Sequence, residues 1–122
     1  MRIGELSQLT GASIRSLRYY EQQGLLKSDR SDSGYREYNL TAVEQVKTIR
    51  FYLSLGLTTE EISGFLTCVM KNKEAFCQEI LPIYRQKMAE LDAQIGLLTG
   101  IRANLAERIT SILEENEGSD KS

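Results

Sequence analysis

Residues 3–26 read IGELSQLTGASIRSLRYYEQQGLL, and residues 33–38 read SGYREY. In the first stretch Ile3, Leu6 and Leu9 form a short apolar edge, which predicts a helix over 4–10. Gly11 is placed to end it in the left-handed conformation. Ser13 is a suitable N-cap for a second helix running to about Gln23, and Gly24 stops it. Successive residues lie about 100° apart around a helix, so its two faces can be sorted. Ile14, Leu17 and Tyr20 fall in one sector, and Arg15, Arg18, Tyr19 and Gln22 in the opposite one. One face packs and the other presents cations and a ring to something anionic, an arrangement suited to duplex DNA.

Outward from this pair, residues 25–38 place Asp, Ser and Gly between Leu25-Leu26 and Tyr35–Tyr38, the pattern of a small hairpin. Two further helices follow. Each is expected to open with a capping box, Thr41 with Glu44 and Thr58 with Glu61. Val43, Val46, Ile49 and Leu53 face inward on the first, which Gly56 ends. Ile62, Phe65, Leu66 and Val69 do so on the second.

The last third is patterned differently. Tyr84, Met88, Leu91, Ile95, Leu98, Arg102, Leu105, Ile109 and Ile112 recur at alternating steps of four and three, a coiled-coil seam interrupted once by Arg102. At roughly 1.5 Å per residue this is a rod of about 40 Å. One apolar stripe on so long a helix needs a cover, either its own domain or, as the length favours, a second copy. Residues 114–122, EENEGSDKS, are acidic and lack large apolar groups, so a disordered tail is expected. The expected organisation is a DNA-binding domain over 1–72, a dimerisation helix over 73–113 and that tail.

The chain has 122 residues and a formal net charge of −2, unevenly spread. Residues 1–56 hold eight Lys/Arg and six Asp/Glu, and residues 57–122 hold seven and eleven. The positive excess therefore lies with the half that would meet phosphates. No stretch suits a signal peptide or a membrane span, so a cytoplasmic protein without a membrane partner is expected. Histidine is absent, and Cys68 and Cys77 lie nine apart without CxxC spacing. A Cys/His zinc site, a structural disulfide in a reducing compartment, and any cofactor are therefore not expected. There is no glycine-rich phosphate loop and no nucleophile–base set, so the chain does not read as an enzyme.

The segments TGASIRSLRYYEQQGLL and SGYREY, with the later LGLTTEEI, resemble the mercury-resistance-type (MerR) family of bacterial transcription regulators. The resemblance covers about residues 2–70 by motif and 75–113 by architecture. It implies an all-α protein with a small β wing, namely a winged helix-turn-helix DNA-binding domain with a long C-terminal dimerisation helix in an antiparallel coiled coil. It further implies a homodimer on a palindromic element of promoter DNA. Family members distort promoters whose two recognition elements are set unusually far apart, so that RNA polymerase can use them.

On that pattern the second helix lies in the major groove. Arg15 and Arg18 reach phosphates or guanine edges, Tyr19 offers a ring and a hydroxyl, and Ser13 can donate to a phosphate. Tyr20 suits either contact or core. In the wing, Arg36 is the leading phosphate contact, Gly34 allows the bend, and Tyr35 or Tyr38 braces it. Arg50 matches a basic family position in the third helix, while Phe51 and Leu53 replace residues often basic there; Lys47 is placed to compensate.

Members of the family differ mainly after the dimer helix. No Cys or His follows residue 77, which disfavours a metal loop or an iron–sulfur cluster. Two effector classes remain. Cys68 or Cys77 could react with an oxidant or electrophile. Alternatively a small lipophilic ligand, apolar or cationic, could be held between the fourth helix and the partner's long helix, in a crevice lined by Phe65, Met70, Phe76, Tyr84 and Met88. The rival to DNA binding is a coiled-coil protein-interaction module whose basic face is incidental.

Overall fold

The computed structural model describes residues 1–30 and 34–120. The centre of the expected hairpin loop, residues 31–33, and the last two residues of the expected tail lie outside that range. The chain divides into two units, residues 1–84 and 85–122.

In the first unit α1 (Ile3–Thr10) and α2 (Ile14–Gln22) form the expected pair. Gly11 has φ of 76° and its N–H donates to the Ser7 carbonyl at 2.9 Å, closing α1. Three further bonds fix the turn. The Thr10 hydroxyl donates to the Leu6 carbonyl, the Ala12 N–H to the Thr10 hydroxyl, and the Ser7 hydroxyl to the Ala12 carbonyl. The Ser13 hydroxyl accepts the Ser16 N–H, as expected of an N-cap. Strands β1 (Asp29–Arg30) and β2 (Arg36–Glu37) pair antiparallel, Asp29 opposite Glu37 and Arg30 opposite Arg36. This is the small wing.

Helix α3 (Leu40–Ser54) starts earlier than the expected capping box. Asn39, not Thr41, is the cap, its side-chain oxygen accepting the Ala42 N–H at 3.0 Å. The second box is present as expected. Thr58 and Glu61 exchange both bonds at the start of α4 (Thr59–Ser63). What the sequence suggested was one helix beyond this point is two. The chain departs from α-helical geometry at Phe65, with φ of −133° and ψ of −1°, before α5 (Leu66–Lys71). That break drives the Phe65 ring into the core, edge-on to Tyr52 with centroids 4.8 Å apart. Leu6, Leu17, Val46, Ile49, Ile62 and Phe65 are the fully buried centre, where α1 packs on α2 and α3, and α3 on α4.

After α5 the chain reverses. Asn72 is extended, Glu74–Phe76 form a single 3-10 turn, and Cys77 returns against α5. Its Cα lies 5.9 Å from that of Cys68, and the two cysteines are joined in a disulfide. This corrects the expectation of no disulfide. Spacing along the chain gave no hint of the reversal that makes the bond geometrically available.

The long helix α6 (Ile80–Asp120) begins later than the expected residue 73, because residues 72–79 form this reversal. It also ends later. The helix continues through residues 114–120, where a disordered tail was expected. Ile80, Ile83 and Tyr84 still pack on the first unit. Beyond Arg85 the apolar residues of α6 lie open, Ile95 being 60% and Leu98 64% exposed.

Candidate nucleic-acid interface

The outer face of α2 carries Arg15, Arg18, Tyr19 and Gln22, all exposed. Its inner face holds Leu17 and Tyr20. Tyr20 is 5% exposed, so it belongs to the core rather than the contact surface. The wing stands beside the outer face. Together they enclose a cleft of about 820 Å³ lined by Arg2, Ile3, Arg18, Glu21, Gln22, Gly34, Tyr35 and Arg36.

Among the described residues the charges lining this cleft are three arginines and one carboxylate, and the carboxylate is committed. Glu21 pairs with Arg36 at 3.0 Å through one oxygen and accepts the Tyr38 hydroxyl on the other. The Arg36 side chain remains half exposed while that of Glu21 is nearly covered. The pair therefore fixes the root of the wing and leaves guanidinium N–H groups facing solvent. Tyr38 itself is buried at 3% exposure, so it braces the wing from inside. Its phenol pKa is pushed up to about 12, first by burial and then by the Glu21 carboxylate that accepts its proton.

The N-terminal segment completes the wall. The Met1 amino group donates to the Tyr38 carbonyl and the Tyr38 N–H to the Met1 carbonyl, each at 2.8 Å. The Arg2 guanidinium carbon then sits 4.1 Å over the Tyr35 ring, a cation–π contact that holds a charge at the cleft mouth. Arg2 and Glu21 were not singled out from the sequence. A basic residue just ahead of the first helix was the only available signal for Arg2, and nothing marked Glu21 as the wing's anchor.

Arg50 takes a role the sequence did not indicate. Its guanidinium donates to the Thr10 carbonyl, the C-terminal end of α1, and a Cβ at Gly11 would fall 2.7 Å from its Nη1. It thus ties α3 to the helix-turn-helix bend. Lys47 is exposed on the same helix. Of the crevice residues, Phe65 is core and Phe76 is 70% exposed. Among the described residues no cluster of three metal-ligating side chains occurs, and no helix is long and apolar enough to cross a membrane.

Comparison with known proteins agrees with this geometry. A family model described as MerR HTH family regulatory protein matches residues 1–67, and one described as MerR, DNA binding matches residues 43–108. The chain is 32% identical to the HTH-type transcriptional regulator HmrR of Rhizobium leguminosarum bv. viciae, over 86% of this chain and 81% of that protein. It is 30% identical to the regulator ZntR of Escherichia coli K12, over 85% and 74%. The mercuric resistance operon regulatory protein of Bacillus cereus is 32% identical over 87% and 80%.

Among solved structures, the transcription regulator PbrR691 of Ralstonia metallidurans CH34, in complex with lead(II), superposes with a TM-score of 0.76. It is 26% identical over 88% of this chain and 84% of its own. HiNmlR, a MerR family regulator lacking the sensor domain and bound to promoter DNA, shares the fold at a TM-score of 0.57 and 20% identity, over 81% and 75%. The two-faced α2, the wing beside it and these matches together make the chain a member of the MerR family of helix-turn-helix, DNA-binding transcriptional regulators.

Proposed function

We propose that two copies of this chain bind one palindromic promoter element and distort it, controlling its use by RNA polymerase. The observation that carries the reading is the convergence of Arg2, Arg18 and Arg36 on one cleft between α2 and the wing, where the carboxylate of Glu21 is already paired. A duplex backbone supplies the phosphates such a cleft lacks. Helix α2 enters the major groove, with Ser13, Arg15, Arg18 and Tyr19 facing the DNA. Tyr35 and Arg36 grip the flanking backbone, with Arg2 added to them, and Lys47 makes a weaker contact.

Pairing follows from α6. Met88, Leu91, Ile95, Leu98, Leu105, Ile109 and Ile112 are exposed along one stripe, and a second copy of the same helix, running antiparallel, is the cover they fit. Tyr84 begins the same stripe, with its hydroxyl bound to Glu74, and Arg102 interrupts it once. A promoter-binding dimer of this kind works in the cytoplasm. Its effector is read as a thiol-reactive species, because the two cysteines are brought together just before α6.

A gel shift with the duplex upstream of its own gene tests this. Affinity should fall steeply with added salt, and Arg18→Ala and Arg36→Ala should each weaken it, with a shallower salt slope. A shift insensitive to salt, or none at all, would favour the protein-interaction module.

A further inference from the structure

Resting on that reading, we infer that Cys68 and Cys77 are a reversible dithiol–disulfide site whose substrate class is peroxide, and that its state sets how α6 is anchored. The two residues sit on opposite sides of the reversal at 72–76, Cys68 partly exposed on α5 and Cys77 buried three residues before α6. The partly exposed sulfur meets the oxidant and the buried one resolves it. Asn72 supports the first role, its side-chain amide donating to the Cys68 carbonyl at 3.3 Å and lying 3.8 Å from Cys68 Sγ.

The chemistry balances with peroxide as the only co-reactant. The Cys68 thiolate attacks one peroxide oxygen, forming a sulfenic acid while the O–O bond breaks. The departing hydroxide takes up the proton Cys68 released. The Cys77 thiol then attacks the sulfenic sulfur, the S–S bond forms, and the hydroxyl leaves as water with the Cys77 proton. Two electrons leave the two sulfurs and peroxide becomes two waters. A cytosolic dithiol reverses the bond by exchange.

What the bond controls is also visible. Glu74, inside the closed loop, accepts the Tyr52 hydroxyl of α3 at 3.2 Å and the Tyr84 hydroxyl of α6 at 3.1 Å. One carboxylate thereby fastens the first turn of α6 to the core helix of the DNA-binding unit. Burial, with the carboxylate beside them, raises both phenol pKa values, so both protons stay in these bonds. With the disulfide closed, Glu74 is held in place. With it open, the loop gains freedom and the clasp on α6 loosens, which re-biases the pairing helix and hence the spacing of the two recognition helices.

The test uses the full chain, treated with hydrogen peroxide or with dithiothreitol. Alkylation with mass analysis counts thiols, hydrogen exchange reads residues 80–84, and transcription from the upstream promoter reads output. Both thiols should vanish together and return together, exchange at 80–84 should slow on oxidation, and output should differ by about fivefold or more between states. Cys68→Ser and Cys77→Ala should each fix output at one level. Glu74→Ala should keep disulfide formation but lose the response. Thiols that stay alkylatable under excess peroxide, or unchanged exchange and output in the two states, would overturn the inference. If no duplex is bound in either state, the DNA reading fails by itself, and thiol count with exchange at 80–84 still decides this one.

Discussion

The two units treat the same kinds of side chain in opposite ways. In residues 1–84, Leu6, Leu17, Val46, Ile49, Ile62 and Phe65 are drawn into one buried centre, while along α6 past Arg85 Leu and Ile side chains lie open. The first unit satisfies itself. Its helix ends are capped by Ser13, Asn39 and Thr58, and Arg50 and Glu21 join elements distant in sequence. Past Arg85 α6 makes local bonds, Gln86 and Lys87 each reaching Glu90. A stripe of this kind is covered, under the proposed function, by the same helix of a second copy.

That contrast can be broken most forcefully by truncating one large residue in each unit. Phe65→Ala empties a fully buried, aromatic-packed position and should cost about 3–5 kcal/mol in denaturant unfolding of the first unit. Leu98→Ala should leave that transition in place and appear instead as weaker pairing, by about tenfold or more in dissociation constant. Equal effects of the two changes on one transition would erase the distinction. Next in size, reducing the disulfide should lower the first unit's stability by about 2–3 kcal/mol, the chain-entropy value for so short a loop, without affecting the helicity of α6 past Arg85.

Gly11→Ala should cost about 1–2 kcal/mol or more, since it forces a positive φ on a side chain that also meets Arg50. Thr58→Ala should cost about 1 kcal/mol through loss of a complete capping box. A smaller effect, confined to high pH, belongs to Tyr38. Its folded pKa lies above the unfolded value, so this contribution is fully present below pH 10 and is lost as pH rises through about 12. Alkaline unfolding of Tyr38→Phe should therefore show a flatter decline over that window than the parent chain.

The difference between the units also explains what the sequence made legible. Features set by local rules were readable. The left-handed Gly11, the Ser13 cap, the Thr58 box and the four-three repeat of α6 each rest on residues within a few positions. The two faces of α2 were readable for the same reason. Features set by tertiary closure were not. Glu21 joins Arg36 and Tyr38 only after the wing folds against α2, and Arg50 meets Thr10 across forty residues. The break at Phe65 carries no proline and arises because the ring is wanted in the core. The Cys68–Cys77 bond depends on a reversal whose residues, Lys71 to Phe76, contain neither glycine nor proline.

Under the proposed function a self-contained reading unit is carried twice, on two copies of a helix whose apolar stripe is open in one chain. Sedimentation equilibrium of the chain at micromolar concentration, free and with its upstream duplex, tests this most directly. Twice the 13.8 kDa chain mass in the free protein, and two chains per duplex in the complex, is the predicted result. A mass of one chain in both samples would contradict it.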